Sequence, residues 1–569
     1  MKKLLILSIL ILSVFVTAGC SLATTTVATT SSTTEATTTE EPSTTTTTAT
    51  TLPTTLTGTT TGVTTTTLPT ITTLPTTTTN PGTTVVTTTA ERYQTIELFS
   101  MNDVHGGAYY SDFSTLSKAA DLLQYKQSTE DDVIILASGD MFQGTALSNY
   151  YYGLPLVEVM NFVGFDAFTI GNHEFDWGID KIANYADGNP DNGEADFPFL
   201  AANIVSTVSG EPMPWTIPYI VVDINGVKVG VIGVIGEVIN SISASRVAGY
   251  EFLDPADTVA TYAEILRTTE GCQVVVASIH EYSSQTNNTI ASLTGNQKVD
   301  AIFNGHSHTS IASQITRTGT DLPFAQVSSY DTSAIAKITL VFDRASGIVS
   351  SASAEVLSVS SYTENDYVND LIAVFEEDPD YVSFVSQVLT TALSTYNRYN
   401  LAPWGASVLR DYADVDFGMV NSGGFRTSMD QGPVTMGELV TIYPFDNVIK
   451  TCEMTGSQLT AFYQTVQEEG YDVVWDDGVS YSSGILYKDG VAVGLSTWYS
   501  VGAVDYIFDK TYYDFLDGRN IAASDHMMRD LLADDLANHA GSFNPADGTA
   551  YPDPVFWIPL RNRDESLFA

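Results

Sequence analysis

Residues from about 91 to 360 predict an α/β fold. Short apolar runs alternate with stretches of helical spacing, the pattern of helices packed on a mainly parallel sheet. The apolar runs also break off at residues of one kind, Asp, Asn and His, several of them directly behind a glycine. In order, residues 95–101, 133–138, 165–170, 273–279, 299–303 and 334–343 read as strands. Residues 114–127 and 156–163 carry helical spacing. Residues 221–223 and 228–235 read as a hairpin turned by Asn225-Gly226.

The strand ends carry the chemistry. They are Asp103 and His105, Asp140, Asn172 and His173 (within Gly171-Asn172-His173-Glu174-Phe175-Asp176), His280, and His306 and His308. Five of the chain's 7 histidines fall in this set. Ligands of open α/β sheets gather at the carboxyl ends of the strands. Any one cluster is equally a turn, a helix cap or a polar loop, so the signal is the recurrence at one sheet edge. Mixed carboxylate and imidazole donors suit zinc or manganese better than calcium. The donors outnumber what one tetrahedral ion uses. They suit two divalent ions about 3.5–4 Å apart, an arrangement used for in-line displacement at phosphorus.

Composition excludes some partners. A formal net charge of −44 argues against a nucleic-acid polymer, whose phosphates are met by Lys and Arg. An anionic small molecule would need a metal or a local Arg cluster, and the bulk of the acidity reads as solvated surface. Cys20, Cys272 and Cys452 show no paired spacing, and the latter two read as small buried apolar groups.

Residues 1–20 read as a targeting segment: Lys2 and Lys3, an apolar run over 4–16 too short to span a bilayer comfortably, then Thr17-Ala18-Gly19-Cys20. The ending is similar to a bacterial lipoprotein box with Cys20 as the lipidated residue; an ordinary secretory signal is the alternative. Either predicts an extracytoplasmic protein; the lipoprotein reading has it touch the membrane through the N-terminal lipid alone. Residues 21–92 are Thr-rich and predict a disordered linker, with hydroxyls open to glycosylation. Fully extended, such a linker reaches on the order of 200 Å.

The expected domains are 93–360, a helical linker over 361–384 broken at Asp378-Pro379-Asp380, and 385–569. In the last, 404–412 and 525–537 read as helices and 417–420 as a strand. Asn421-Ser422-Gly423-Gly424-Phe425-Arg426 follows that strand. Its glycines let the backbone approach a ligand, and its Arg can fork onto an oxyanion. A Gly-rich turn with a surface Arg is the plainer alternative.

The order D-x-H, G-D, G-N-H-E, H, G-H-x-H resembles the calcineurin-like metallophosphoesterases over residues 95–343. GNHEFDWG followed by Pro198-Phe199-Leu200-Ala201-Ala202-Asn203 is similar to the 5′-nucleotidase branch, which also holds UDP-sugar hydrolases and cyclic-nucleotide phosphodiesterases. N-x-G-G-x-R with Tyr443-Pro444-Phe445-Asp446-Asn447 resembles the 5′-nucleotidase C-terminal domain over about 385–515.

The resemblance implies a four-layer α/β/β/α sandwich followed by a smaller α+β substrate-binding domain, with rotation about a hinge near 361–384. It implies one metal held by Asp103, His105, Asp140 and His308, and another by Asp140, Asn172, His280 and His306, with a hydroxide attacking phosphorus. His173 would stabilise charge at the phosphoryl group and leaving oxygen, its ring oriented by Asp176. Arg398, Asn421, Gly424, Arg426 and Phe445 carry over as substrate-binding residues. The family's Gly-Gly-Asp-Gly turn is absent, and Tyr513 or Tyr512 stands in for its second stacking aromatic. Glu281-Tyr282 after His280 also departs from the family. The expected activity is release of phosphate from nucleoside 5′-monophosphates or related nucleotides. The alternatives are a 2′,3′-cyclic-nucleotide phosphodiesterase, a nucleotide-sugar pyrophosphatase, and a stalked binding protein with a vestigial metal site.

Overall fold

The computed structural model describes residues 92–107, 113–129, 133–317, 319–539 and 541–550. The targeting segment, Cys20 and the Thr-rich linker lie outside the described residues. No helix among the described residues is long and apolar enough to cross a membrane.

Two six-stranded sheets stack face to face. The first runs, edge to edge, Ile348–Ser358, Ala334–Asp343, Tyr93–Met101, Val133–Ala137, Ala167–Thr169, Phe199–Leu200. Its last four strands are mutually parallel. The second runs Ile311–Gln314, Ala325–Ser328, Ala301–Asn304, Val274–His280, Val227–Ile235, Tyr219–Ile224, with four parallel strands flanked by an antiparallel one on each side.

The apolar runs are continuous because both faces of each sheet are covered. In Val133–Ala137, Ile134 and Leu136 enter the layer between the sheets, while Ile135 and Ala137 join the core under the outer helices. In Val274–His280, Val274 and Val276 lie between the sheets. Val275, Ala277 and Ile279 pack with the helices Pro255–Ile265 and Ser284–Ala291 on the opposite face. The helices Ser114–Thr129 and Leu154–Val163 cover the first sheet. The expected four layers are thus present. At the hairpin turn Asn225 and Gly226 both take positive φ, 51° and 82°. The Ser-rich strand Ile348–Ser358 was not foreseen; it alternates buried Val349 and Ala352 with exposed polar residues along the sheet edge.

The expected linker forms two helices, Asp366–Glu376 and Pro379–Val385. Asp378 divides them: its carboxylate caps the second, accepting from the Asp380 and Tyr381 N–H groups at 2.8 and 3.2 Å. Aromatic contacts fasten both helices to the first domain, Phe162 on Tyr367 at 4.1 Å, Tyr151 on Phe375 at 5.0 Å and Tyr150 on Tyr381 at 5.0 Å.

The second domain holds a five-stranded sheet ordered Val474–Trp475, Phe417–Val420, Trp498–Val504, Val448–Thr455, Arg519–Met527. The helix expected over 404–412 starts earlier, at Arg398, because Asn397 and Asn400 form a reciprocal capping box. The helix expected over 525–537 is Met528–Asn538. Residues 525–527 belong to the preceding edge strand, where Met527 pairs with Val448; sheet pairing overrides local helical spacing there.

Candidate active site

Every strand-end residue singled out by sequence lies at one edge of the stacked sheets. Three groups draw their ligand atoms within 4.8 Å of one another: Asp103, His105 and His308; His105, Asp140 and His173; Asp140, His280 and His306. A carbonyl only accepts, so His105 Nδ1 donates to Gln143 O at 3.1 Å, and His280 Nδ1 donates to Ser138 O at 2.8 Å. Their Nε2 atoms are left for a proton or a cation. His105 Nε2 faces His308 Nε2 at 3.1 Å. His280 Nε2 faces Asp140 Oδ2 at 3.0 Å and Asn172 Oδ1 at 3.1 Å. Asp140 Oδ2 is buried and has no partner but that ring nitrogen. Lone pairs thus converge in the interior, and a divalent cation is the partner that fits them.

The electrostatics agree. Burial disfavours the imidazolium of His280, but Asp140 and Asp103 raise it to about 10, so positive charge is drawn to this point. Burial holds His306 and His308 down to about 4 and keeps their lone pairs available at neutral pH.

The loops are built around these donors. Asp103, His105, Asp140, His306 and His308 all have positive φ, between 48° and 69°. Each such non-glycine residue costs about 1–2 kcal/mol. Hydrogen bonds between loops offset this: Val104 and His105 donate their N–H groups to Asp140 O at 2.9 and 3.1 Å, and His306 N–H donates to Asp103 Oδ1 at 3.0 Å. Two motif glycines are required by close approach. A Cβ on Gly139 would lie 2.2 Å from His280 Nδ1, and one on Gly171 would lie 2.3 Å from Asp140 Oδ1.

Glu174, quoted above only as part of the hexapeptide, ties two of the loops together. Its buried carboxylate accepts from Gly171, Asp140 and Met141 N–H at 2.8, 2.9 and 3.0 Å. Burial and then the Asp140 charge push its carboxyl up to about 7. Glu174→Ala strands three buried donors at about 1–3 kcal/mol each. The expected result is a loss of about 3 kcal/mol or more in thermal or urea unfolding, with Glu174→Gln losing less. An unchanged unfolding midpoint for the Ala variant would contradict this role.

The donors open into a cavity of about 760 Å³ whose other wall is the second domain. His173 lines it, with Nδ1 2.6 Å from Asp176 Oδ2 and its ring stacked 5.8 Å from Phe445. Arg426 lies over the Phe445 ring at 5.8 Å. Buried Arg529 holds the Phe445 loop from behind, donating to Pro444 O at 3.0 Å and Asp446 Oδ1 at 2.7 Å.

Arg398, Asn421, Arg426, Phe445 and Tyr513 all line the cavity. Gly424 does not: its neighbour Gly423 lines the wall, and Gly424 lies behind it against Tyr443. Tyr513 is 5% exposed, packed among Tyr471, Tyr512 and Phe462, whereas Tyr512 is 37% exposed. Sequence reasoning missed Asp472, which clamps the Gly-rich loop by accepting from Ser422 and Gly423 N–H at 2.9 and 2.8 Å. It also missed Tyr330, Asp331, Tyr471, Tyr506 and Lys510 on the cavity wall.

Residues 99–310 match the family model described as calcineurin-like phosphoesterase, and residues 382–488 match that of the 5′-nucleotidase C-terminal domain. The chain is 25% identical over 465 residues to Endonuclease YhcR of Bacillus subtilis (strain 168), covering 74% of this chain and 38% of that protein. It is 26% identical over 444 residues to Cell wall protein Lmo0130 of Listeria monocytogenes serovar 1/2a, covering 64% of this chain and 55% of that protein. It therefore spans less than two thirds of the length of either. A solved 5′-nucleotidase precursor from Thermus thermophilus shares the fold at a TM-score of 0.65 and 20% identity, over 79% of this chain and 97% of that one. Residues 99–310 thus carry a calcineurin-like phosphoesterase domain, and residues 382–488 a 5′-nucleotidase C-terminal domain.

Proposed function

We propose that the protein is an extracytoplasmic, two-metal hydrolase releasing phosphate from nucleoside 5′-monophosphates or related nucleotides. The carrying observation is the convergence of Asp103, His105, Asp140, His306 and His308 donor atoms on a cavity walled by the second domain, with buried His280 3.0 Å from Asp140. Asp103, His105, Asp140 and His308 would hold one ion, and Asp140, Asn172, His280 and His306 the other. Bound zinc, manganese or a similar ion supplies Lewis acidity toward the phosphoryl oxygens and lowers the pKa of water.

The chain's own groups do the rest. His173, its ring fixed by Asp176, stabilises charge at the phosphoryl group and leaving oxygen. Arg426 and Arg398 meet the anionic part of the substrate, Asn421 its polar part, and Phe445 gives a face for the base. The targeting segment at 1–20 and the cell-wall relative support an extracytoplasmic location, with Cys20 as lipid anchor.

The test is phosphate release after chelation and after restoring zinc or manganese. Nucleoside 5′-monophosphates, 2′,3′-cyclic nucleotides and nucleotide sugars are offered side by side. Chelation is expected to lower release about 100-fold or more and metal to restore it, with 5′-monophosphates preferred. Release that ignores the chelator would refute the metal mechanism. A preference for cyclic or sugar nucleotides would move the substrate reading to those classes, and no release from any would leave a binding protein.

A further inference from the structure

Asn149 sits on the short helix Ala146–Tyr150 of the first domain and is 3% exposed. It does not line the cavity, yet its amide joins two of the cavity's walls. Its Oδ1 accepts from Gly144 N–H at 3.3 Å, and its Nδ2 donates across to the second domain, to Pro444 O at 3.3 Å. A main-chain N–H donates and a carbonyl accepts, so these two partners fix which way the amide points.

On its own side the amide is tied to the loop that carries His105. Gly144 follows Gln143, whose carbonyl accepts from His105 Nδ1 at 3.1 Å, and a Cβ on Gly144 would lie 2.2 Å from His105 O. Thr145, which caps the same helix, donates its hydroxyl to Gly106 O at 3.1 Å. On the far side Pro444 precedes Phe445, whose ring stacks on His173 at 5.8 Å. Pro444 O also accepts from buried Arg529 at 3.0 Å, so one carbonyl is gripped from both domains. Half-buried Arg246 reaches the same loop from the first domain, but at 3.4 Å and one residue beyond Phe445, at Asp446 O.

A substrate that extends from the strand-end donors to the Phe445 face is held at two places, each set by a different domain. Its reacting bond is well placed only when the spacing between them is fixed, and a misplacement of about 1 Å can cost about 100-fold in rate. We propose that Asn149 is a positioning residue that sets this spacing, and that it thereby favours phosphate esters carrying a base over the same esters without one. The proposal rests on the hydrolase reading above and adds to it a residue outside the cavity.

The experiment measures kcat/KM for adenosine 5′-monophosphate and for ribose 5-phosphate, which has the same ester and no base. The metal-loaded parent is compared with Asn149→Leu and Asn149→Ala. Both variants lose the amide, and only the second opens a void. The ratio of nucleotide to sugar phosphate is expected to fall roughly 10-fold in both variants, with ribose 5-phosphate kept within about 3-fold of the parent. A merely structural role would disturb the His105 loop and weaken both substrates alike. Equal losses on both substrates, an unchanged ratio, or a fallen ratio in one variant alone overturns the proposal. Calorimetry gives a readout free of turnover. The phosphonate analogue of the monophosphate, with CH2 in place of the ester oxygen, spans both places, whereas adenosine and inorganic phosphate each occupy one. The analogue is expected to bind the variants roughly 10-fold more weakly, and the two fragments within about 3-fold of the parent. Phosphate released from neither substrate would sink the hydrolase reading. Selective weakening of the analogue would still keep the positioning role, and equal binding would sink it. A parent that binds none of the three ligands would sink both.

Discussion

Asp140→Asn is expected to lower kcat/KM by about 10⁴-fold or more, equivalent to more than about 5 kcal/mol of transition-state stabilisation, while the protein stays folded. Asp140 belongs to two of the three candidate ligand groups, the one with His105 and the one with His280 and His306. Its Oδ1 accepts from His173 N–H at 2.8 Å, and its buried Oδ2 faces His280 Nε2 at 3.0 Å. Asn keeps the first contact and the side-chain volume but removes the charge that a pair of cations would share. Asn also tolerates the φ of 57° at this position. The measurement combines phosphate release, metal content by elemental analysis and thermal melting. A folded Asp140→Asn protein with normal turnover and full metal content would remove the two-metal mechanism.

His173→Ala is expected to cost about 10²–10⁴-fold in kcat, the usual range for a positioned acid or base, with metal content retained. Its Nδ1 is engaged by Asp176 at 2.6 Å, leaving Nε2 for the cavity. Burial works against its imidazolium, but Asp176 and Asp140 outweigh that and raise its pKa above the ordinary histidine value. A residue whose imidazolium is favoured in this way suits an oxygen that gains negative charge during bond breaking. The geometry offers a competing role, since His173 also falls within ligand distance of His105 and Asp140. Elemental analysis separates the two: metal lost from His173→Ala to the same extent as from Asp140→Asn would make His173 a ligand.

How much of this was legible in the chain depends on how local each signal is. The converging Asp, Asn and His side chains were readable because each follows an apolar strand and several stand behind a glycine, and the glycine has a steric cause: Gly139 leaves room for the His280 ring and Gly171 for the Asp140 carboxylate. The two sheets were readable from unbroken apolar runs, which cover on both faces requires. The second wall of the cavity was less readable. Asp472 acts on Ser422 from 50 positions away, and nothing near it in sequence marks it as a clamp. Lys510, Tyr506 and Tyr512 occupy the stretch where the resemblance led one to look for a glycine turn, so the familiar punctuation was missing. The start of the last helix was misplaced because residues 525–527 have helical spacing but are claimed by the sheet edge.

The left-handed backbone at positions 103, 105, 140, 306 and 308 also bears on how such a chain can decay. Bulky and β-branched residues are strained there, whether or not a cation is ever bound. A descendant that abandoned hydrolysis would therefore drift toward Asn, Asp or Gly at those positions, and the loop shapes would outlive the reaction. Sequence divergence in this lineage should erase chemistry before it erases architecture.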